Sequence, residues 1–239
     1  MLHTTFSRRG IVVAPHHLAA EAGAAVLREG GNAVEAMIAA AATIAVVYPH
    51  MNGLGGDNFW LISAGGKPPK AIDACGPAAA LASTDFYRAA GCDAIPSRGP
   101  MAALTVAGAV GGWGLALEEA RSLGGRMPLS RLLADPITYA SEGFAVSGTQ
   151  SNNTKTKFAE LAHQPGFAST YLQANEPPQI GSRFANKKLA ASLQQLASAG
   201  LDDFYRGELA RSMAKELEDA GSPIRLGDLE GFNALRVNP

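Results

Sequence analysis

Residues 29–62 read EGGNAVEAMIAAAATIAVVYPHMNGLGGDNFWLI, and the succession of signals in this stretch decides the fold. Asn32 is placed to cap a helix, and Glu35, three positions on, is placed to reach back to the Asn32 amide as in a capping box. Residues 33–47 are apolar nearly all round, so the helix they form belongs inside the protein. Many of them are alanines, which lets other backbones approach closely and suits a helix lying on a sheet. Pro49 stops the helix. Three glycines and Asp57 make the turn that follows, and residues 58–63 read as a strand. A second strand over residues 70–75 is joined to it by Ala64-Gly65-Gly66-Lys67-Pro68-Pro69, which predicts a hairpin beside the buried helix. A buried helix leading straight into a sheet indicates an α/β chain.

Outward from this stretch the pattern is mainly helical. Residues 16–29 carry Leu18, Ala22, Ala25 and Val26 on one helical face, and Gly30-Gly31 closes the helix where a left-handed cap is wanted. Residues 110–122 and 129–142 predict amphipathic helices, separated by Gly124-Gly125 and Met127-Pro128. Residues 147–183 are polar and weakly periodic and read as irregular surface structure, a wall over a site. Asn186 is placed to cap a helix that runs to Ala199 and closes at Gly200. Another spans residues 208–220 and closes at Gly221, with Asp203-Phe204-Tyr205-Arg206-Gly207 as the turn between. There is no internal repeat, low-complexity tract or linker, so residues 1–239 read as one unit.

Composition bounds the function. The chain has 239 residues, is 47% hydrophobic, and carries a formal charge of −1. That balance leaves no electrostatic footprint for nucleic acid. The N-terminus has no apolar core with a cleavage site, so a cytoplasmic address is expected. The apolar run over residues 36–47 is too short to cross a bilayer. Two cysteines and five histidines occur, none in a metal-ligand spacing, so neither a metal site nor a cofactor is expected.

Two local features invite a chemical reading. The loop Gly53-Leu54-Gly55-Gly56-Asp57 resembles a phosphate cradle, but helix precedes loop, no lysine is near, and Asp57 would repel an anion. The alternative is a structural turn in which Gly53, Gly55 and Gly56 supply backbone angles closed to other residues while Asp57 binds turn amides. Cys75 could act as a nucleophile with His50 and Asp73 as base and orienting group. Against this, a small buried residue at a strand end is the commoner reading.

The string Glu29-Gly30-Gly31-Asn32-Ala33-Val34-Glu35-Ala36, followed by Pro49-His50 and Leu54-Gly55-Gly56, closely resembles the gamma-glutamyltranspeptidase family. So do Ala71-Ile72-Asp73, the block from Val106 through Gly111-Gly112-Trp113, Met127-Pro128-Leu129, Glu142-Gly143-Phe144, Leu189-Ala190-Ala191-Ser192-Leu193 and Phe204-Tyr205-Arg206-Gly207. The resemblance implies an N-terminal-nucleophile hydrolase: a four-layer α-β-β-α sandwich made as a precursor that cuts itself into large and small subunits. This chain would be the helix-rich front part of the large subunit, incomplete without the small one, in a heterodimer or a dimer of heterodimers. The nucleophile would be the threonine at the new N-terminus of the small subunit, with its α-amino group as base, so no catalytic residue is expected here. In family members that act on glutathione, the place of Cys75 holds an arginine that grips the glutamyl α-carboxylate. The resemblance therefore puts Asp73, Cys75 and Gly76 at the substrate and the turn at Gly53, Gly55, Gly56 and Asp57 near it. With Cys75 for arginine, the chain looks more like the branch that includes oxamate amidohydrolase, acting on a small-molecule amide. A gamma-glutamyltransferase or glutathione hydrolase, and a noncatalytic relative serving as a binding domain, are the alternatives.

Overall fold

The computed structural model describes residues 4–239; the first three, which the reading of the N-terminus includes, lie outside the described residues. In chain order the elements are α1 (His17–Arg28), α2 (Ala33–Val47), β1 (Asn58–Ile62), β2 (Lys70–Ala74), α3 (Thr84–Ala89), α4 (Ala109–Ser122), α5 (Leu129–Leu132), α6 (Ala134–Glu142), β3 (Phe144–Ala145), α7 (Gly148–Leu161), α8 (Phe167–Tyr171), β4 (Arg183–Phe184), α9 (Lys187–Ala199), α10 (Asp203–Arg206), α11 (Glu208–Asp219), α12 (Leu226–Gly231) and β5 (Leu235–Val237). Two antiparallel sheets form, one ordered β1-β2-β5 and a small one pairing β3 with β4.

The capping box at α2 is built as its residues dictate. Asn32 Oδ1 accepts from the amides of Val34 and Glu35, and Glu35 Oε2 accepts from the Asn32 amide at 2.8 Å. The other oxygen of this fully buried carboxylate accepts from the Met127 amide at 2.7 Å. One side chain thus satisfies a helix end and ties it to the loop before α5, which keeps a buried charge hydrogen-bonded. Ala36, Ile38, Ala39, Ala42 and Val46 of α2 are almost wholly buried.

The neighbours of α2 differ from the expectation of a helix lying on the sheet. It is enclosed mainly by α1, α4 and α6, whereas α4 lies on β1 and β2. The glycines of α4 explain the exchange. A Cβ at Gly112 would come within 3.0 Å of the Ala74 Cβ and 2.8 Å of the Asn58 side chain, so only a bare backbone lets the helix settle on the hairpin.

Three further expectations are corrected. Residues 129–142 form two helices, α5 and α6, meeting at Leu133. The break places Pro136 in the first turn of α6, where its missing N–H costs nothing, and not in a helix interior. Residues 147–183 are not irregular: they contain α7, α8 and β4. Ser147 Oγ caps α7 by accepting from the Gln150 amide at 3.1 Å, and the residues that α7 buries, Gln150, Ser151 and Thr154, are polar. A helix that buries polar side chains carries no apolar stripe to read. Residues 203–206, expected as a turn, form the short helix α10.

Candidate active-site end of the sheet

β1 and β2 pair in the register Asn58↔Ala74 through Ile62↔Lys70, and β5 joins β2 through Ala71↔Val237, Ile72↔Arg236 and Asp73↔Leu235. Alternation along the strands separates two faces. Ile62, Ile72 and Ala74 are buried on the inner one. The other carries Phe59, Leu61, Leu235 and Val237 in register with Asp73 and Ala71, and those four apolar side chains are 67%, 71%, 59% and 40% exposed. An exposed apolar sheet face of this kind marks an interaction surface.

The start of β2 and β5 are clamped to α4 by charge. Glu119, buried on α4, accepts from Lys70 and from Arg236, whose guanidinium also reaches Glu118 at 2.6 Å. The Lys70 hydrogen bond, seconded by that of Arg236, holds the Glu119 carboxyl below the usual range.

At the opposite end of β2 the chain passes under the start of α4. A Cβ at Gly76 would lie 1.6 Å from the Val106 carbonyl oxygen, and one at Gly108 would lie 1.9 Å from that of Ala74. Both are glycine because two backbones touch there. The Gly56 carbonyl accepts from the amides of Gly108 and Ala109 at 3.0 and 2.9 Å, supplying the cap that no side chain gives α4. Tyr205, buried on α10, braces the same place: its hydroxyl donates to the Ala107 carbonyl and accepts from the Gly111 amide, both at 2.8 Å.

The loop of residues 53–57 is therefore a turn, closed by the Gly56 amide on the Gly53 carbonyl at 3.4 Å. The reason differs from the one expected. None of Gly53, Gly55 and Gly56 adopts the left-handed region, and a Cβ on any of them meets nothing closer than 3.7 Å. Asp57 likewise reaches beyond its own turn: Oδ1 accepts from the Gly76 amide at 3.1 Å and Oδ2 from the Cys75 thiol at 3.7 Å. Asp73 Oδ1 accepts from the Cys75 amide at 2.9 Å. Asp57, Asp73, Cys75 and Gly76 are thus brought together at one strand end.

Cys75 is exposed, correcting the reading of a buried strand-end residue. Nor is it built as a nucleophile. The negative charge of Asp57, then desolvation, the Asp57 hydrogen bond and Asp73 all push its thiol upward, keeping it protonated. The proposed base is engaged elsewhere: the His50 ring sits 4.2 Å from that of Tyr48 and lines a cavity with α7 and α8. The constellation has two carboxylates, a thiol and two committed amides. The sequence reading missed Val106 and Tyr205, which brace it, and the cross-strand reach of Asp57. Tyr205 stands in the block Phe204-Tyr205-Arg206-Gly207, whose likeness to the family was its only signal.

The chain is similar to known proteins along its length. The sequence model described as gamma-glutamyltranspeptidase matches residues 19–239. The chain is 55% identical over 240 residues to the oxamate amidohydrolase proenzyme of Klebsiella pneumoniae subsp. pneumoniae, covering 100% of this chain and 45% of that protein. It is 30% identical over 242 residues to the glutathione hydrolase proenzyme of Escherichia coli, covering 100% of this chain and 41% of that one. The chain thus spans less than half the length of these two relatives. The crystal structure of Helicobacter pylori gamma-glutamyltranspeptidase superposes with a TM-score of 0.89 at 28% identity, over 98% of this chain and 67% of that one. Sequence and architecture together place the chain in the gamma-glutamyltranspeptidase family.

Proposed function

We propose that this chain is the front of the large subunit of an autoprocessing amide hydrolase acting on a small amide such as oxamate. The observation that carries the substrate reading is the acidic end of β2, where Cys75 lies between Asp57 and Asp73 and every charge acting on its thiol is negative. In a gamma-glutamyl compound the α-carboxylate lies several bonds from the scissile carbonyl and needs a cation at such a place. In oxamate the carboxylate is bonded directly to the scissile carbonyl, so the substrate ends before it reaches the strand end. The 55% identity to an oxamate amidohydrolase proenzyme supports the same reading.

The nucleophile is the threonine at the N-terminus of a small-subunit half that follows this chain. Its hydroxyl attacks the amide carbonyl, its α-amino group takes the proton, and backbone amides hold the oxyanion. Ammonia leaves, and water then releases the acid from the threonine ester. The small subunit covers the outward face of Phe59, Leu61, Leu235 and Val237, completing the sandwich as a heterodimer. The threonine's hydroxyl and α-amino group carry the chemistry, so the mechanism calls for neither metal nor cofactor.

The test compares the processed full-length protein with its Cys75→Arg and Cys75→Ser variants on oxamate and on a gamma-glutamyl anilide. The parent should turn over oxamate and process the anilide poorly. Asp57 and Asp73 would orient an arginine at position 75, and one charge-assisted contact is worth about 1.5–3 kcal/mol. Cys75→Arg should therefore raise kcat/KM for the anilide by about tenfold to a hundredfold, with Cys75→Ser leaving it unchanged. A parent that prefers the anilide would overturn the substrate assignment.

A further inference from the structure

A cavity of about 490 Å³ opens between Pro49-His50, α7 and α8. Its size is that of small-molecule sites. From α7, Asn153, Thr154 and Lys157 line it in successive positions of one helical face, and from α8 come Phe167, Thr170 and Tyr171. The rings of Phe167 and Tyr171 are 5.5 Å apart and 32° from parallel, which gives one wall a flat aromatic surface. Gln164 presses against Gly99 to close one side, since a Cβ at Gly99 would lie 2.3 Å from its Oε1.

The lining holds no aspartate or glutamate. The carboxylate of Glu160 is taken by two cations, Lys157 Nζ at 2.7 Å and Arg98 Nε at 2.7 Å. Hydrogen bonding from Lys157 and the charge of Arg98 keep it ionised, so the three groups leave one net positive charge beside the cavity. His50 also lines the cavity, and its two ring nitrogens are shielded and have no hydrogen-bond partner among the described residues. Polar groups left unpaired in an interior are costly and mark places built for something else to meet them.

We propose that this cavity is a binding site for a small planar organic anion of the aromatic carboxylate class. The carboxylate lies toward Lys157 and the Arg98–Glu160 cluster, the ring lies along Phe167 and Tyr171, and a small rotation of His50 brings a ring nitrogen to the ligand. Nothing in this assignment depends on the amide substrate.

Benzoate, benzamide and benzylamine are matched in shape and differ in charge. Titrated calorimetrically into the full-length protein, benzoate should bind in the millimolar range or tighter and the other two more weakly. Lys157→Gln should weaken benzoate about fivefold, the effect of one solvent-screened charge, without changing benzamide binding. Phe167→Ala should weaken both. Neither variant should alter turnover of the parent's best amide. Absence of benzoate binding, equal binding of all three probes, or affinities indifferent to both substitutions would each overturn the assignment.

Discussion

One added methyl group at Gly76 tests whether the strand end is held by contact between two backbones. Real Cβ atoms keep at least 3.0 Å from such neighbours, and at Gly76 the carbonyl of Val106 would stand at 1.6 Å, so alanine forces a separation of 3.0 − 1.6 = 1.4 Å. The obstacle is backbone on both sides and cannot rotate away. A shift of that size disrupts the bonds that flank it: the Val106 amide to the Pro77 carbonyl at 3.0 Å, the Gly108 amide to Gly56 at 3.0 Å and the Gly76 amide to Asp57 at 3.1 Å. At about 1 kcal/mol for each of roughly three hydrogen bonds, with overpacking strain of about 1–2 kcal/mol, Gly76→Ala should cost about 4–5 kcal/mol. In a protein of this size that is a fall in Tm of roughly 8–20 °C, and a smaller one in a longer chain. The control is Gly114→Ala on α4, where an added Cβ meets nothing within 4 Å and helix propensity improves. Full-length parent and both variants would be melted side by side by circular dichroism. A Gly76→Ala protein that melts with the parent would refute the close-approach reasoning.

Other parts of the account are open to similar checks. Tyr205→Phe removes a hydroxyl that serves Ala107 and Gly111, and should cost about 1–3 kcal/mol in urea titrations of the full-length protein; an unchanged midpoint would remove Tyr205 from the bracing of α4. Burial, seconded by His17 and His50, holds His16 below the ordinary histidine value of 6.5, and burial holds His50 there too. Because their folded values are depressed, the stability they contribute is whole above about pH 6.5 and is lost as pH falls below it. His16 Nδ1 also accepts the Leu18 amide as the cap of α1, a role that protonation ends. His16→Asn keeps a cap and should flatten the fall in urea midpoint between about pH 7.5 and 5.5; an unaltered pH profile would count against this linkage.

How much was legible in advance depended on whether the signal was local. Asn32 and Glu35 lie within one turn, so their capping box could be read from spacing alone and was found atom for atom. The hairpin of residues 58–62 and 70–74 was legible for the same reason, from two runs and a turn. Helix α7 was not, because Gln150, Ser151 and Thr154 are polar residues buried on it and periodicity of apolar residues is what a reader counts. Strand β5 drew no expectation, since Leu235, Arg236 and Val237 are only three residues long and owe their strand to pairing with β2. At the site, the nearness of Asp73 to Cys75 was legible because they stand two positions apart. The reach of Asp57 to Gly76, nineteen positions away, and the contact of Gly76 with Val106 are tertiary facts that no local pattern carries.

The central claim is that this chain belongs to a precursor whose own cleavage creates the catalytic threonine. The most direct measurement expresses the full-length protein, determines the N-terminal residue of any new chain by mass spectrometry, and follows ammonia release from oxamate before and after cleavage. The expected result is two chains that remain associated, threonine at the new N-terminus, and oxamate hydrolysis that appears with cleavage and vanishes when that threonine is replaced by alanine. An uncleaved single chain that hydrolyses oxamate, or a cleaved protein whose new chain begins with another residue, would contradict it.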